Sequence, residues 1–141
     1  MLVLAAVAGC SEPVDLDPPG DYTTWKRIDV TGEAPGHGDT YRIIYVNDVA
    51  SDPSSRLYLG YPLGSIIVKE IYDNDDGQPG KLRYVALMRR NQLVTTALQD
   101  QGGWLFSQSQ EPNGSETHTD RCWNRCHVSA PFNGAWYDYR H

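Results

Sequence analysis

Two strand-like runs around a turn-rich segment constrain this chain most. Ser65–Tyr72 (SIIVKEIY) and Lys81–Arg90 (KLRYVALMRR) are rich in β-branched and large apolar residues. Asp73–Gly80 (DNDDGQPG) between them is dense in turn formers. That order predicts an antiparallel hairpin. Tyr41–Asn47 (YRIIYVN) reads as another strand, with Arg42, Ile44 and Val46 on one face and Tyr41, Ile43 and Tyr45 on the other. Gly103–Ser107 (GWLFS) is a shorter one. Only Arg90–Asp100 and Thr117–His127 invite a helical reading, and both are short. Asp48–Gly64, with Pro53, Gly60, Pro62 and Gly64, reads mostly as loop with a short helical turn. The folded part is expected to begin near Tyr22 and Trp25.

A chain of 141 residues has material for one domain with one core. With 40% hydrophobic and 21% charged residues it reads as an ordinary globular protein. A net charge of −6 without a long basic run argues against nucleic-acid binding, and suits docking to a basic redox partner. Asp73, Asp75 and Asp76 do not form a calcium loop: Gly77 falls one place early, and Tyr84 stands where the bidentate Glu belongs. The sequence contains no nucleophilic serine motif, phosphate-binding loop or paired-histidine metal helix. Leu2–Gly9 is a short apolar run, too short to span a bilayer, and reads as an export signal. Small residues just before Cys10 resemble a bacterial lipobox, so residues 1–9 are expected to be removed and Cys10 lipidated. The acidic, proline-rich stretch over residues 10–20 reads as a flexible tether to a domain at 21–141.

The chemistry is concentrated in Arg121-Cys122-Trp123-Asn124-Arg125-Cys126-His127. Two cysteines followed at once by a histidine are the pattern of covalent haem attachment. Each thiol can add across one vinyl group, and the imidazole can ligate the iron. The usual spacer is two residues; here Trp123, Asn124 and Arg125 separate the cysteines. Two other readings of the same residues stand beside it. Cys122 and Cys126 could close a short disulfide in an oxidising compartment. His118, Cys122 and Cys126 recur every four residues and, with His127, could hold a structural zinc ion. With one cysteine for lipid and two for haem, no thiol is left over.

Several segments in order resemble the cytochrome P-460 and cytochrome c′-β family: Tyr22-x-x-Trp25, His37-Gly38, Tyr41–Asn47, Tyr61–Glu70, Gly103–Phe106 and Cys122–His127. The resemblance covers roughly residues 22–130. It implies a mainly β (α+β) fold, a curved antiparallel sheet with a few short helices in a single domain, often paired as a homodimer. It implies haem c as cofactor, attached at Cys122 and Cys126 with His127 as the axial iron ligand. Lys69 matches the lysine that the P-460 branch bonds to the macrocycle, and Arg42 matches a distal arginine. A distal acid or base is expected shortly before the cysteine pair, at Glu116, His118 or Asp120, while Trp104 and Phe106 suit a pocket wall. Met1 lies in the signal and Met88 in a strand, so no methionine is expected as a second iron ligand. The implied activity is hydroxylamine oxidation with nitric oxide chemistry, in the periplasm on a lipid anchor, with electrons passed to an external cytochrome. The alternatives are a cytochrome c′-β-like binder of nitric oxide or carbon monoxide, and a haem-less lipoprotein of the same fold.

Overall fold

A computed structural model describes residues 17–57, 60–90 and 102–141. Cys10, the apolar run before it and most of the helical stretch expected over 90–100 lie outside the described residues. Six strands run β1 (Lys26–Ala34), β2 (Gly38–Val46), β3 (Ile66–Asp75), β4 (Gln78–Arg89), β5 (Leu105–Ser109) and β6 (Thr117–His118). They lie in sequence order in one open antiparallel sheet. Every strand pairs with its neighbour in the chain, the simplest solution for strands joined by short connections. The fold is mainly β, as the pattern of apolar runs implies.

The central hairpin forms where expected, with a tighter turn. Strand pairing continues, across irregularities at Tyr72 and Asn74, to Asp75↔Gln78, so Asp76 and Gly77 form the turn. Both have positive φ, 48° and 83°, which a two-residue hairpin turn matching the strand twist requires. β1 was not foreseen. Its sequence, KRIDVTGEA, carries only Ile28 and Val30 as large apolar residues, and its positions alternate half-buried and exposed as an edge strand does. The C-terminal region also departs from expectation. Thr117–His118 pairs with β5 instead of starting a helix. Helix α2 is confined to Arg121–Arg125, after a first short helix α1 at Asp48–Ser51, and a 3-10 turn follows at His127–Ser129. Pairing against the exposed edge of β5 overrides the weak local helix preference of this polar stretch.

Alternation divides the sheet into two faces. One buries Tyr22, Tyr41, Ile43, Tyr45, Val68 and Val85 under the N-terminal turn. The other buries Ile44, Val46, Ile67, Met88 and Phe106 under the C-terminal segment, which contributes Ala135 and Tyr139. Cys122 and Trp123 pack against this second cluster. Burying each such side chain is worth about 1.5–3 kcal/mol, so the sheet and the segment bearing the cysteines are held together strongly.

Candidate functional site

α2 turns once, so Cys122 and Cys126 project from the same side. Both thiols are unpaired and half-buried. The helix ends at Cys126, whose φ of −133° breaks the helical path and swings His127 inward. His127 is buried, and its ring lies 5.0 Å from the Phe106 ring of β5. Its Nδ1 is 2.6 Å from the Gly134 carbonyl oxygen. A carbonyl only accepts, so Nδ1 carries the proton and Nε2 keeps its lone pair for a metal. Burial pushes the imidazole down to about 4, outweighing the Gly134 carbonyl, so the ring is neutral at physiological pH.

The Gly134 carbonyl is itself fixed. Phe132 and Ala135 bridge across Asn133-Gly134, whose φ values are 52° and 89°. Trp104 donates from Nε1 to the Asn133 carbonyl at 2.7 Å. Trp104 is fully buried and packs on Tyr61 with ring centroids 5.4 Å apart. Asn-Gly is a strong short-range turn signal, so sequence could have marked this hairpin, though not its grip on His127.

Cys122, Cys126 and His127 face a cavity of about 220 Å³ between α2 and the sheet. Lys69 of β3 reaches it from the sheet, opposite the small Ala86 of β4 in the ladder. The Lys69 amine has no hydrogen-bond or ion-pair partner among the described residues. Burial, then the nearby Arg42 charge, lowers it to about 8. Burial also pushes the Cys122 thiol up, opposed by Lys69. His37, from the β1–β2 turn, and Tyr84 of β4 line the same cavity. Ile67, Met88, Phe106 and Tyr139 supply apolar wall.

Other site residues expected from sequence lie elsewhere. Glu116 is buried on the opposite face of the sheet in a two-pronged ion pair with Arg89, and it also accepts from Ser107 Oγ. His118 is exposed on β6, and its Nδ1 donates to the Phe106 carbonyl at 2.9 Å. Neither Glu116, His118 nor Asp120 lines the cavity. Arg42 is buried and donates to the Gly32 carbonyl and Thr40 Oγ1, both at 2.8 Å; it does not line the cavity, but its charge acts on Lys69. Trp104 supports the wall from behind, whereas Phe106 forms part of it. With His118 on a strand, the four-residue ligand ladder that a zinc site would need does not exist. No three His, Cys, Asp or Glu side chains converge on a metal position among the described residues.

These residues fit a haem. The thiols and a neutral imidazole with a free Nε2 share one largely apolar cavity, with an unpartnered amine beside them. Sheet and cavity define a mainly β protein with a site suited to a prosthetic group held by two thiols and one imidazole. The cytochrome P460 family model matches residues 19–135, and the chain belongs to that family, one of haem-dependent oxidoreductases. It is a haem protein of that family. No curated protein matches the chain.

Proposed function

We propose that the protein is an exported c-type haem protein that oxidises hydroxylamine, with nitric oxide chemistry, and passes the electrons to an external cytochrome. The observation that carries this reading is the Lys69 amine, without a partner among the described residues and facing the cavity lined by Cys122, Cys126 and His127. Cys122 and Cys126 would attach the haem covalently, and His127 would ligate its iron through Nε2. Haem held by these residues would supply a redox-active iron able to bind a small ligand.

The chain's own contribution is positioning. Gly134 and Phe106 orient the His127 ring and fix its tautomer. The apolar wall excludes water around a small polar ligand. Lys69, with its amine partly neutral near pH 8, is the residue proposed to bond to the macrocycle edge. A second reading, capture of nitric oxide or carbon monoxide without turnover, is favoured by one observation: among the described residues no carboxylate lines the cavity. Export, a lipid anchor at Cys10, a periplasmic location and pairing as a homodimer belong to the same proposal and rest on the sequence. Fatty-acid labelling should mark the wild type and not Cys10→Ala.

The deciding experiment is expression with a cytochrome c maturation system, followed by intact-mass measurement and a pyridine haemochrome spectrum. The expected result is one covalent haem per chain, reduced in Cys122→Ser and in Cys126→Ser, and hydroxylamine-dependent reduction of an added one-electron acceptor. A chain that gains no haem mass would overturn the covalent reading. Haem without turnover would select the gas binder.

A further inference from the structure

Oxidising a protic ligand releases protons as well as electrons, and among the described residues no Asp or Glu lines the cavity to take them. The notable uncharged base besides His127 is His37. It sits in the three-residue turn Pro35-Gly36-His37 between β1 and β2, where its backbone N–H donates to the Ala34 carbonyl at 3.0 Å. The turn is pinned against α2: Gly36 has φ +75°, and a side chain there would meet Cys126 Sγ at 3.2 Å. His37 is half-buried while Pro35, Gly36 and Gly38 are exposed, so its ring stands between cavity and solvent. Its Nδ1 lies 2.8 Å from Tyr84 Oη, and Nε2 has no partner among the described residues.

We propose that His37, oriented by Tyr84, is the proton acceptor for protic small ligands in this cavity. The inference rests on the haem reading above. An N–H or O–H proton of the ligand moves to His37 Nε2, whose lone pair forms the new bond. The resulting imidazolium gives its Nδ1 proton to Tyr84 Oη as Tyr84 releases its own hydroxyl proton to a water molecule from solvent. One proton enters and one leaves; the electrons of an oxidation go to the external one-electron acceptor. Tyr84 is a positioning and relay group, and a hydroxyl can serve the imidazole as donor or acceptor. Burial first, then the charges of Lys69 and Arg42, lowers His37 to about 4, so its lone pair is available at neutral pH. Among the described residues, the ionisable groups lining the cavity around it are Lys69 on β3, Tyr84 on β4, Arg121, Cys122 and Arg125 on α2, Cys126 at its C-terminal end, His127, and Tyr139 of the C-terminal segment. None is a carboxylate, so none would trap the proton.

Ferric haem-loaded wild type, His37→Gln and Tyr84→Phe test this with two probes followed by absorbance. Hydrogen cyanide must lose a proton as it binds, whereas nitric oxide has none to lose. At neutral pH, His37→Gln should bind cyanide at least about a hundredfold more slowly, the lower end of what a positioned base contributes. Above the pKa of hydrogen cyanide the two rates should converge, and nitric oxide binding should match at every pH. Equal cyanide rates at neutral pH, with nitric oxide binding intact, would overturn the proposal. If His37→Gln does not load haem, Tyr84→Phe decides, because it keeps the ring packing: slower cyanide binding supports the relay, and an unchanged rate overturns it. A wild type that responds to neither probe would instead refute the haem reading.

Discussion

His127 has two requirements, a neutral ring and an uncommitted Nε2, and one backbone carbonyl meets both. That makes Gly134 sensitive. At φ +89° an L side chain is strained, and its Cβ would meet Trp104 at 2.9 Å and Trp123 at 3.0 Å. Gly134→Ala should therefore destabilise the protein by about 2–4 kcal/mol in urea denaturation, combining backbone strain with overpacking. The same substitution should loosen the His127 ring, read as a haem spectrum that varies with temperature. Lys69→Ala separates enzyme from gas binder. It should still acquire haem, since Cys122, Cys126 and His127 are untouched. Its visible spectrum should move towards that of an ordinary c-type haem, and hydroxylamine turnover should collapse while nitric oxide binding survives. An unchanged spectrum with unchanged turnover would make Lys69 a bystander.

At the scale of elements, β4, β5 and β6 are tied together beneath the sheet by Arg89, Ser107 and Glu116. The Arg89 and Glu116 side chains are 5% and 2% exposed, so the pair is desolvated and each charge depends on the other. Glu116→Ala leaves a buried guanidinium without its counter-charge and should cost about 3–5 kcal/mol in chemical denaturation. Because Glu116 is away from the cavity, the folded variant should keep wild-type ligand-binding rates. Loss of those rates at full stability would instead restore Glu116 as the proton acceptor. Position near the cysteines in the chain suggested Glu116 for that role. The strand between them, β6, turns the residue to the other face.

The whole molecule carries a pH dependence set by its two cavity histidines. Burial lowers both His37 and His127 to about 4 in the folded chain, against 6.5 when exposed. The unfolded chain thus binds protons first as pH falls. Stability of the haem-free protein should be complete above about 6.5 and decline as pH drops towards 4, with each histidine contributing up to about one proton. Below that window the depressed carboxyls add to the loss: Asp29, hydrogen-bonded by Arg27, and Asp138, where Arg140 outweighs burial. Urea midpoints measured against pH should show this slope, and His37→Gln should make it shallower. A flat profile from 6.5 to 4 would mean that neither ring is buried neutral.

The strands at 41–47, 65–72 and 81–90 were legible because their periodicity and turn residues are local properties, fixed before any long-range contact forms. Cys122, Cys126 and His127 were legible for the same reason: their adjacency in the chain is the chemistry. Lys69 and Arg42 could be placed on a face by alternation. What surrounds them could not, because that depends on how the C-terminal segment folds back over β3 and β4. Only tertiary structure joins His37 to Tyr84, 47 positions apart. Only tertiary structure sets the Gly134 carbonyl against His127 and carries Glu116 away from the cavity. Sequence by itself determined the strands and the identity of the attachment groups. The order in which strands and turns pack decided which side chains share the cavity, because distant residues meet only when the sheet is built.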